Sequence, residues 1–201
     1  MILWLRVRRA WLLLLAAVLV AVLSRWAAGA SFAMPALVGS TSSIMWTTLV
    51  LLLWGVAVAD AFSTSTLAVE ARPSVRVARH DAALFVVATG VAAGGLVVTG
   101  GASGPALGAV ARLVIISGLA CAVTRRFGPG AATLTCAVLL VGSAPYGPSA
   151  WAGDYVRVLH PDGNQATAVV LAVALGGLAL WMLLTRRVAV RLGSSVRLAD
   201  A

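Results

Sequence analysis

The chain has 201 residues, of which 61% are hydrophobic and only 10% are charged, and its mean hydropathy is +1.01. Soluble domains carry about 25% charged residues, and disordered segments contain far less apolar surface, so both classes are excluded. The formal charge of +9 comes from 15 arginines, with no lysine. A chain without lysine has no Walker A phosphate loop and no Schiff-base catalysis.

Long apolar runs recur along the chain. A helix needs roughly 20 apolar residues to cross the hydrocarbon of a bilayer, and six such runs predict an all-α, polytopic membrane protein with a single transmembrane domain, 1–201. Because further runs follow the first, we expect the first to be an uncleaved span rather than a signal peptide. The predicted spans are 10–29, 44–62, 83–98, 105–124, 131–144 and 166–184.

The arginines concentrate in alternate connections between these runs. Twelve of the 15 lie before the first span, in 63–82, in 125–130 or after the last span, whereas Arg25, near the end of the first span, and Arg157 lie on the opposite side. Arginine-rich connections favour the cytoplasmic side, so we expect both termini to be cytoplasmic and the protein to lie in the cell (inner or plasma) membrane. Arginines at the ends of apolar runs also argue against a nucleic-acid partner, which requires a basic face.

Residues 63–82 form the sizeable cytoplasmic connection. Pro73 breaks any helix there, and Ser74 can cap a second piece. Two interpretations remain open: a solvated charged loop, or a short helix under the membrane that meets a cytosolic partner. Its candidate contact residues are Glu70, Arg72, Arg76 and Arg79.

Residues 143–165 form an extracellular segment that mixes aromatic and charged residues. Pro145 and Pro148 end the preceding helix, and tryptophan and tyrosine favour the headgroup level. We expect an interfacial or re-entrant helical piece here, with simple anchoring as the alternative. Its candidate residues are Trp151, Asp154, Tyr155 and Arg157.

Arg112 is the charge placed well inside a predicted span. It lies about seven residues into the fourth run, or roughly 10 Å deep at 1.5 Å per residue, and an intramembrane charge suggests function. It either lines a pathway, with Asp154 or Asp162 as partner, or extends its long side chain to the outer headgroups. Asp60 lies at the cytoplasmic end of the second run, so we do not expect it to pair with Arg112.

No catalytic or cofactor-binding pattern emerges. The two histidines, His80 and His160, are predicted on opposite sides of the membrane, so they cannot share a metal or a haem. Gly90 and Gly94 form a small-xxx-small pair that is weak evidence for a helix contact. The two cysteines, Cys121 and Cys136, fall in apolar runs and are expected to be small buried residues. We therefore expect no enzymatic activity, no cofactor and no metal.

The layout resembles the six-span permease subunit of a type-2 ABC exporter. The shared features are a short amphipathic start, a connection after the second span that carries Glu70-Ala71-Arg72-Pro73, an outer segment before the last span, and a Pro-Asp-Gly stretch at 161–163 followed by the last span and Arg186-Arg187. The resemblance covers the whole chain and rests on this layout rather than on one motif.

The resemblance implies a half-transporter that pairs with itself or with a similar permease. A separate ATP-binding subunit would dock on the coupling residues Glu70, Arg72, Arg76 and Arg79, which fits a chain that lacks the P-loop lysine. The exported compound would be amphipathic or lipid-like. Two alternatives are a non-transporting accessory, immunity or assembly subunit, and a small-solute carrier.

Overall fold

The computed structural model describes residues 10–26, 31–34, 42–63, 75–100, 104–143, 159 and 164–185. These residues form six helices and one two-stranded sheet, and the predicted all-α class is confirmed. In chain order the helices are α1 (Ala10–Trp26), α2 (Trp46–Ala61), α3 (Val75–Gly100), α4 (Gly104–Phe127), α5 (Pro129–Ser143) and α6 (Gln165–Leu184).

Three of these helices are long and apolar enough to cross a membrane, in the stretches Ala78–Val98, Ala106–Phe127 and Gln165–Leu184. The other three, α1, α2 and α5, are apolar but have only 17, 16 and 15 residues. Large exposed apolar side chains, mostly valine, leucine and tryptophan, occur on all six helices. An apolar surface of this extent indicates a membrane protein whose outside faces lipid.

Helix α3 begins earlier than the sequence predicts. The connection after the second span was expected to extend to residue 82, either as a solvated loop or with a short helix; α3 starts at Val75, the position after the predicted cap Ser74, so 75–82 are helical and continuous with the third span. Helical spacing explains the difference. Ala78, Asp81, Ala82 and Phe85 turn towards the bundle and are buried, whereas Arg79 stays exposed. The charges in this stretch therefore mark an amphipathic first part of α3.

A small hairpin, not predicted from the sequence, joins α1 and α2. Strands β1 (Ser31–Met34) and β2 (Ser42–Met45) pair antiparallel, with Ser31 opposite Met45 and Met34 opposite Ser42. The pairing satisfies backbone groups that would otherwise require water. Strand β2 runs directly into α2 at Trp46, so the short second helix is preceded by ordered chain.

Helix α4 occupies the centre of the bundle. It packs against α2, α3, α5 and α6, while α1 packs against α2 and α3. Gly128 makes the turn between α4 and α5 with a φ of 97°, and its N–H donates to the Thr124 carbonyl at 2.9 Å. The side of the bundle where α4 ends and α3 begins is called the Arg125 end, and the side where α4 and α6 begin is called the Arg112 end.

Helices α4 and α6 run parallel and meet at backbone distance. Ala111, Ile115, Ala168 and Ala172 form one buried cluster between them. At Gly118 a Cβ atom would lie only 2.6 Å from the Leu175 carbonyl oxygen. Small residues allow this approach, which in lipid supplies van der Waals contact between helices. Gly90 and Gly94, the pair singled out in the sequence, are exposed, with no neighbouring atom where a Cβ would lie.

We expect Gly118→Ala to loosen the contact between α4 and α6. The added methyl group overpacks the interface, which costs about 1–3 kcal/mol. Gly177→Ala is the matched control, because Gly177 lies on an exposed position of α6 with open space around it. Both changes bring the same gain in helix propensity, so the difference between their unfolding free energies in detergent isolates the steric effect. Equal stability of the two variants would contradict the close approach.

Candidate functional site

Helix α4 carries buried polar side chains at successive depths. Arg112 lies near its start, Ser117 near its middle and Thr124 near its end, where the half-buried Arg125 follows. Polar groups in a medium of low dielectric are costly unless they have partners inside the protein. The partners of these side chains therefore show which elements α4 is tied to, and they define the candidate site.

Arg112 is buried inside the bundle, with 8% of its surface exposed. Its Nε donates a 2.9 Å hydrogen bond to the Gly108 carbonyl oxygen, one turn earlier in α4. A Cβ at Gly108 would come within 3.1 Å of the guanidinium, so the glycine makes room for the arginine. Asp60 lies at the other end of the bundle, in the last turn of α2, and Asp154 and Asp162 lie outside the described residues.

A buried hydrogen-bond chain joins α2 to α4 at mid-depth. The indole Nε1 of Trp54 donates to the Ser117 hydroxyl oxygen at 2.7 Å, and that hydroxyl donates to the Leu113 carbonyl oxygen at 2.7 Å. Trp54 and Ser117 are both fully buried. The Ser117 hydroxyl thus accepts one hydrogen bond and donates another, and the bond from Trp54 fixes the rotation of α2 relative to α4.

An ion pair joins α3 to α4 at the Arg125 end. Asp81 is completely buried, and its Oδ2 lies 3.5 Å from an Arg125 terminal nitrogen. Thr124, the residue before Arg125, is also completely buried. A buried pair of this kind is seldom a large net stabiliser, but removal of one charge is strongly destabilising. From the sequence, Asp81 is expected only as part of the connection 63–82, and nothing in its neighbours along the chain indicates its burial or its partner.

The predicted coupling residues are only partly within the described chain. Arg79 is exposed on α3, and Arg76 lies in the first turn of α3 rather than in a loop. Glu70 and Arg72 lie outside the described residues, as do the four outer candidates Trp151, Asp154, Tyr155 and Arg157. Of the eight candidates, the structure therefore describes only Arg76 and Arg79.

Two described residues between α5 and α6 contact the bundle near the start of α6. Leu159 is half-buried and packs against the main core as well as the cluster between α4 and α6. Asn164 caps α6, where its side-chain oxygen accepts the Ala166 N–H at 3.0 Å. Leu159 thus contacts the bundle near the Arg112 end.

Both cysteines are buried thiols that form no disulfide with each other. At Gly55 on α2, a Cβ would lie 3.2 Å from the Cys136 sulfur, so α2 and α5 are also close together. Within the described ranges, no group of three or more His, Cys, Asp or Glu residues is placed to hold a metal ion. The candidate site among the described residues is therefore the set of polar contacts of α4.

Comparison with known proteins gives no relative: the chain matches no protein-family model, no curated protein and no solved structure. Function is accordingly inferred from the contacts of the bundle.

We expect Ser117→Ala to destabilise the bundle because it leaves the buried Trp54 N–H without its acceptor, a loss of about 1–3 kcal/mol. The double variant with Trp54→Phe removes donor and acceptor together. A double-mutant cycle measured by unfolding in detergent should therefore give a loss smaller than the sum of the two single losses. Strict additivity would show that the two groups do not interact.

We expect Arg125→Gln to be more damaging than Arg126→Gln, because it removes the charge that faces the buried Asp81 carboxylate. The loss should reach about 3 kcal/mol, whereas the neighbouring Arg126 is exposed and its loss should be within about 0.5 kcal/mol. Adding Asp81→Asn to Arg125→Gln should recover part of the stability. If the double variant is no more stable than Arg125→Gln alone, the ion pair does not hold α3 to α4.

Proposed function

We propose that this chain is the membrane-spanning subunit of an ABC-type exporter, driven by a separate ATP-binding subunit. In this proposal all six helices cross the cell membrane, and both termini and the Arg125 end are cytoplasmic. The described part of this end carries Arg79, Arg125 and Arg126, which agrees with the preference of arginine for the cytoplasmic side.

The observation that carries the proposal is the attachment of both helices that flank 64–74. This segment joins the end of α2 to the start of α3. Helix α2 is bonded to α4 through Trp54 and Ser117, and α3 is paired with α4 through Asp81 and Arg125. A movement of 64–74 caused by a docked ATP-binding subunit would therefore be transmitted to α4 through two polar contacts, one from α2 and one from α3.

Helix α4 can transmit such a movement across the bilayer. It has 24 residues, roughly 36 Å at 1.5 Å per residue, and it holds Arg112 at the far end. In a packed bundle such a helix responds as a unit because interiors are not continuously deformable. The predominantly apolar interior favours an amphipathic or lipid-like compound over a hydrophilic solute.

We expect the detergent-solubilised protein to co-purify with an ATP-hydrolysing subunit and, in proteoliposomes, to support ATP-dependent efflux of a labelled amphiphile. Glu70→Ala combined with Arg72→Ala should abolish retention of that subunit, because the docking contacts are lost. Arg25→Ala is the control. It removes an exposed arginine in the last turn of α1, at the end of the bundle away from the docking segment.

The same experiment separates the alternatives. Asp81→Asn combined with Arg125→Gln should retain the ATPase but lower efflux, because the motor binds and its movement is no longer passed to α4. Transport that needs no ATPase would establish a small-solute carrier instead. Absence of both an ATPase and transport would establish a non-transporting accessory subunit, with other membrane proteins as its partners.

A further inference from the structure

An open apolar groove runs between α4 and α6 on the outside of the bundle. Its volume is about 390 Å³, which falls within the range of small-molecule sites, about 300–1,000 Å³. Its lining residues follow one another at about one helical turn on both helices, and include Leu107, Val110 and Val114 of α4 and Val169, Val173 and Gly177 of α6. The α4–α6 groove therefore runs along the axes of two helices that are each long enough to cross a membrane.

The α4–α6 groove occupies the depth of one lipid leaflet. Helix α6 has 20 residues and rises roughly 30 Å, which is about the thickness of the hydrocarbon core. Measured along the helix at 1.5 Å per residue, Val169 lies roughly 6 Å and Gly177 roughly 18 Å beyond Gln165, the first residue of α6. The groove thus extends from near the Arg112 end to about the centre of the bilayer, where the acyl chain of a lipid in that leaflet lies.

The shape of the groove suits a flexible apolar chain. Ala111 and Ala172 line it and are buried in the contact between the two helices, so small residues form its floor. Leu107 and Val173 line it with 56% and 71% of their surfaces exposed, so larger residues form its walls. Atoms along such a groove gain van der Waals contacts only when another molecule fills it, and an acyl chain can follow its length.

Positive charge lies at the Arg112 end of the groove. A Cβ at Gly108 would lie 3.1 Å from a terminal nitrogen of Arg112 and 3.8 Å from the Gln165 Cγ. The guanidinium is therefore close to the first turn of α6. The N-terminus of α6, which Asn164 caps, adds the partial positive charge of a helix start.

The carboxylates of the described chain do not offset this charge. Asp60 is in the last turn of α2 and Asp81 is paired with Arg125, so both lie at the Arg125 end. A charge that is partly shielded from water is also only weakly screened by salt, so Arg112 attracts an anion at the protein surface without direct contact. An apolar groove with positive charge at one end is complementary to an anionic amphiphile.

We propose that the α4–α6 groove binds one acyl chain of an anionic phospholipid from the surrounding bilayer, with the phosphate beside Gln165. A zwitterionic lipid with the same chains fits the groove equally well, but its cationic headgroup offsets the attraction. The headgroup charge therefore sets the preference. The proposal requires only that α4 and α6 cross the membrane, so it holds whether or not the chain belongs to an exporter.

The headgroup preference is measured on the full chain in detergent by native mass spectrometry. The protein is titrated with phosphatidylglycerol or with phosphatidylcholine that carries the same acyl chains. We expect the first phosphatidylglycerol to bind about fivefold more tightly, the contribution of one arginine near an anionic lipid, and the difference to shrink as salt is raised. Equal affinity for the two lipids overturns the proposal.

The position of the chain is tested by filling the groove. Gly177→Leu places a side chain in the groove, and Gly90→Leu on α3 is the matched control, because both glycines are exposed with open space around a Cβ and only Gly177 lines the groove. We expect Gly177→Leu to weaken phosphatidylglycerol binding at least about fivefold, since the leucine takes the contacts of the chain. An equal effect of the two substitutions, or no effect of either, rules out this site.

The position of the phosphate is tested at Gln165. Gln165→Glu adds a negative charge at an exposed position where a helix start favours one, so the fold is preserved, and Gln165→Ala controls for loss of the side chain. Phosphatidylglycerol affinity should fall about fivefold in Gln165→Glu alone, with phosphatidylcholine affinity unchanged. A fall for both lipids, or for neither, contradicts a phosphate at this position.

The same spectra identify the other possible occupant of the groove, a second copy of the chain. We expect the lipid to bind to a species whose mass does not change with Gly177→Leu. If the wild-type protein is a dimer that Gly177→Leu converts to a monomer, a second copy covers the groove and the lipid proposal fails.

Discussion

Helix α4 has to hide arginine and serine side chains in a bundle whose outside is apolar. In such a medium polar groups are costly without a partner within the protein, and the partners of these side chains come from different neighbours. Trp54 of α2 meets Ser117, Asp81 of α3 meets Arg125, and the carbonyl of Gly108 in the same helix meets Arg112. The position and rotation of the surrounding helices follow from these contacts and from the close approach of α6 at Gly118.

The sequence predicts the six helices well because hydrophobic length is a strong signal. Apolar runs of 14 to 20 residues have few structural alternatives, and most ends of the observed helices fall within a few residues of the expected ones. The start of α3 lies eight residues before the predicted span because its first turns are amphipathic rather than continuously apolar. The buried Asp81 carboxylate pairs with Arg125, which lies 44 positions away in the sequence. Local sequence patterns contain no information about such a distant partner.

The helix contacts themselves were less predictable. A small-xxx-small pair identifies a surface that permits close approach, but many surfaces of an alanine- and glycine-rich helix do so. Gly90 and Gly94 are exposed, whereas Gly118, which stood out less in the sequence, lies against the α6 backbone. Which glycine is used depends on the neighbour that packing brings to it. The coupling and outer candidates lie largely outside the described residues, so the site is known mainly through α4.

The turn at Gly128 has a consequence for the order of assembly. A connection of one residue leaves α4 and α5 almost no loop to close, and short loops close with the smallest loss of chain entropy. Helix α6 reaches α4 only after the whole outer segment has been made, and α2 must find Ser117 across 63 positions. The α4–α5 hairpin is therefore the natural first unit of the tertiary structure, and it presents an already oriented α4 to the helices that dock later.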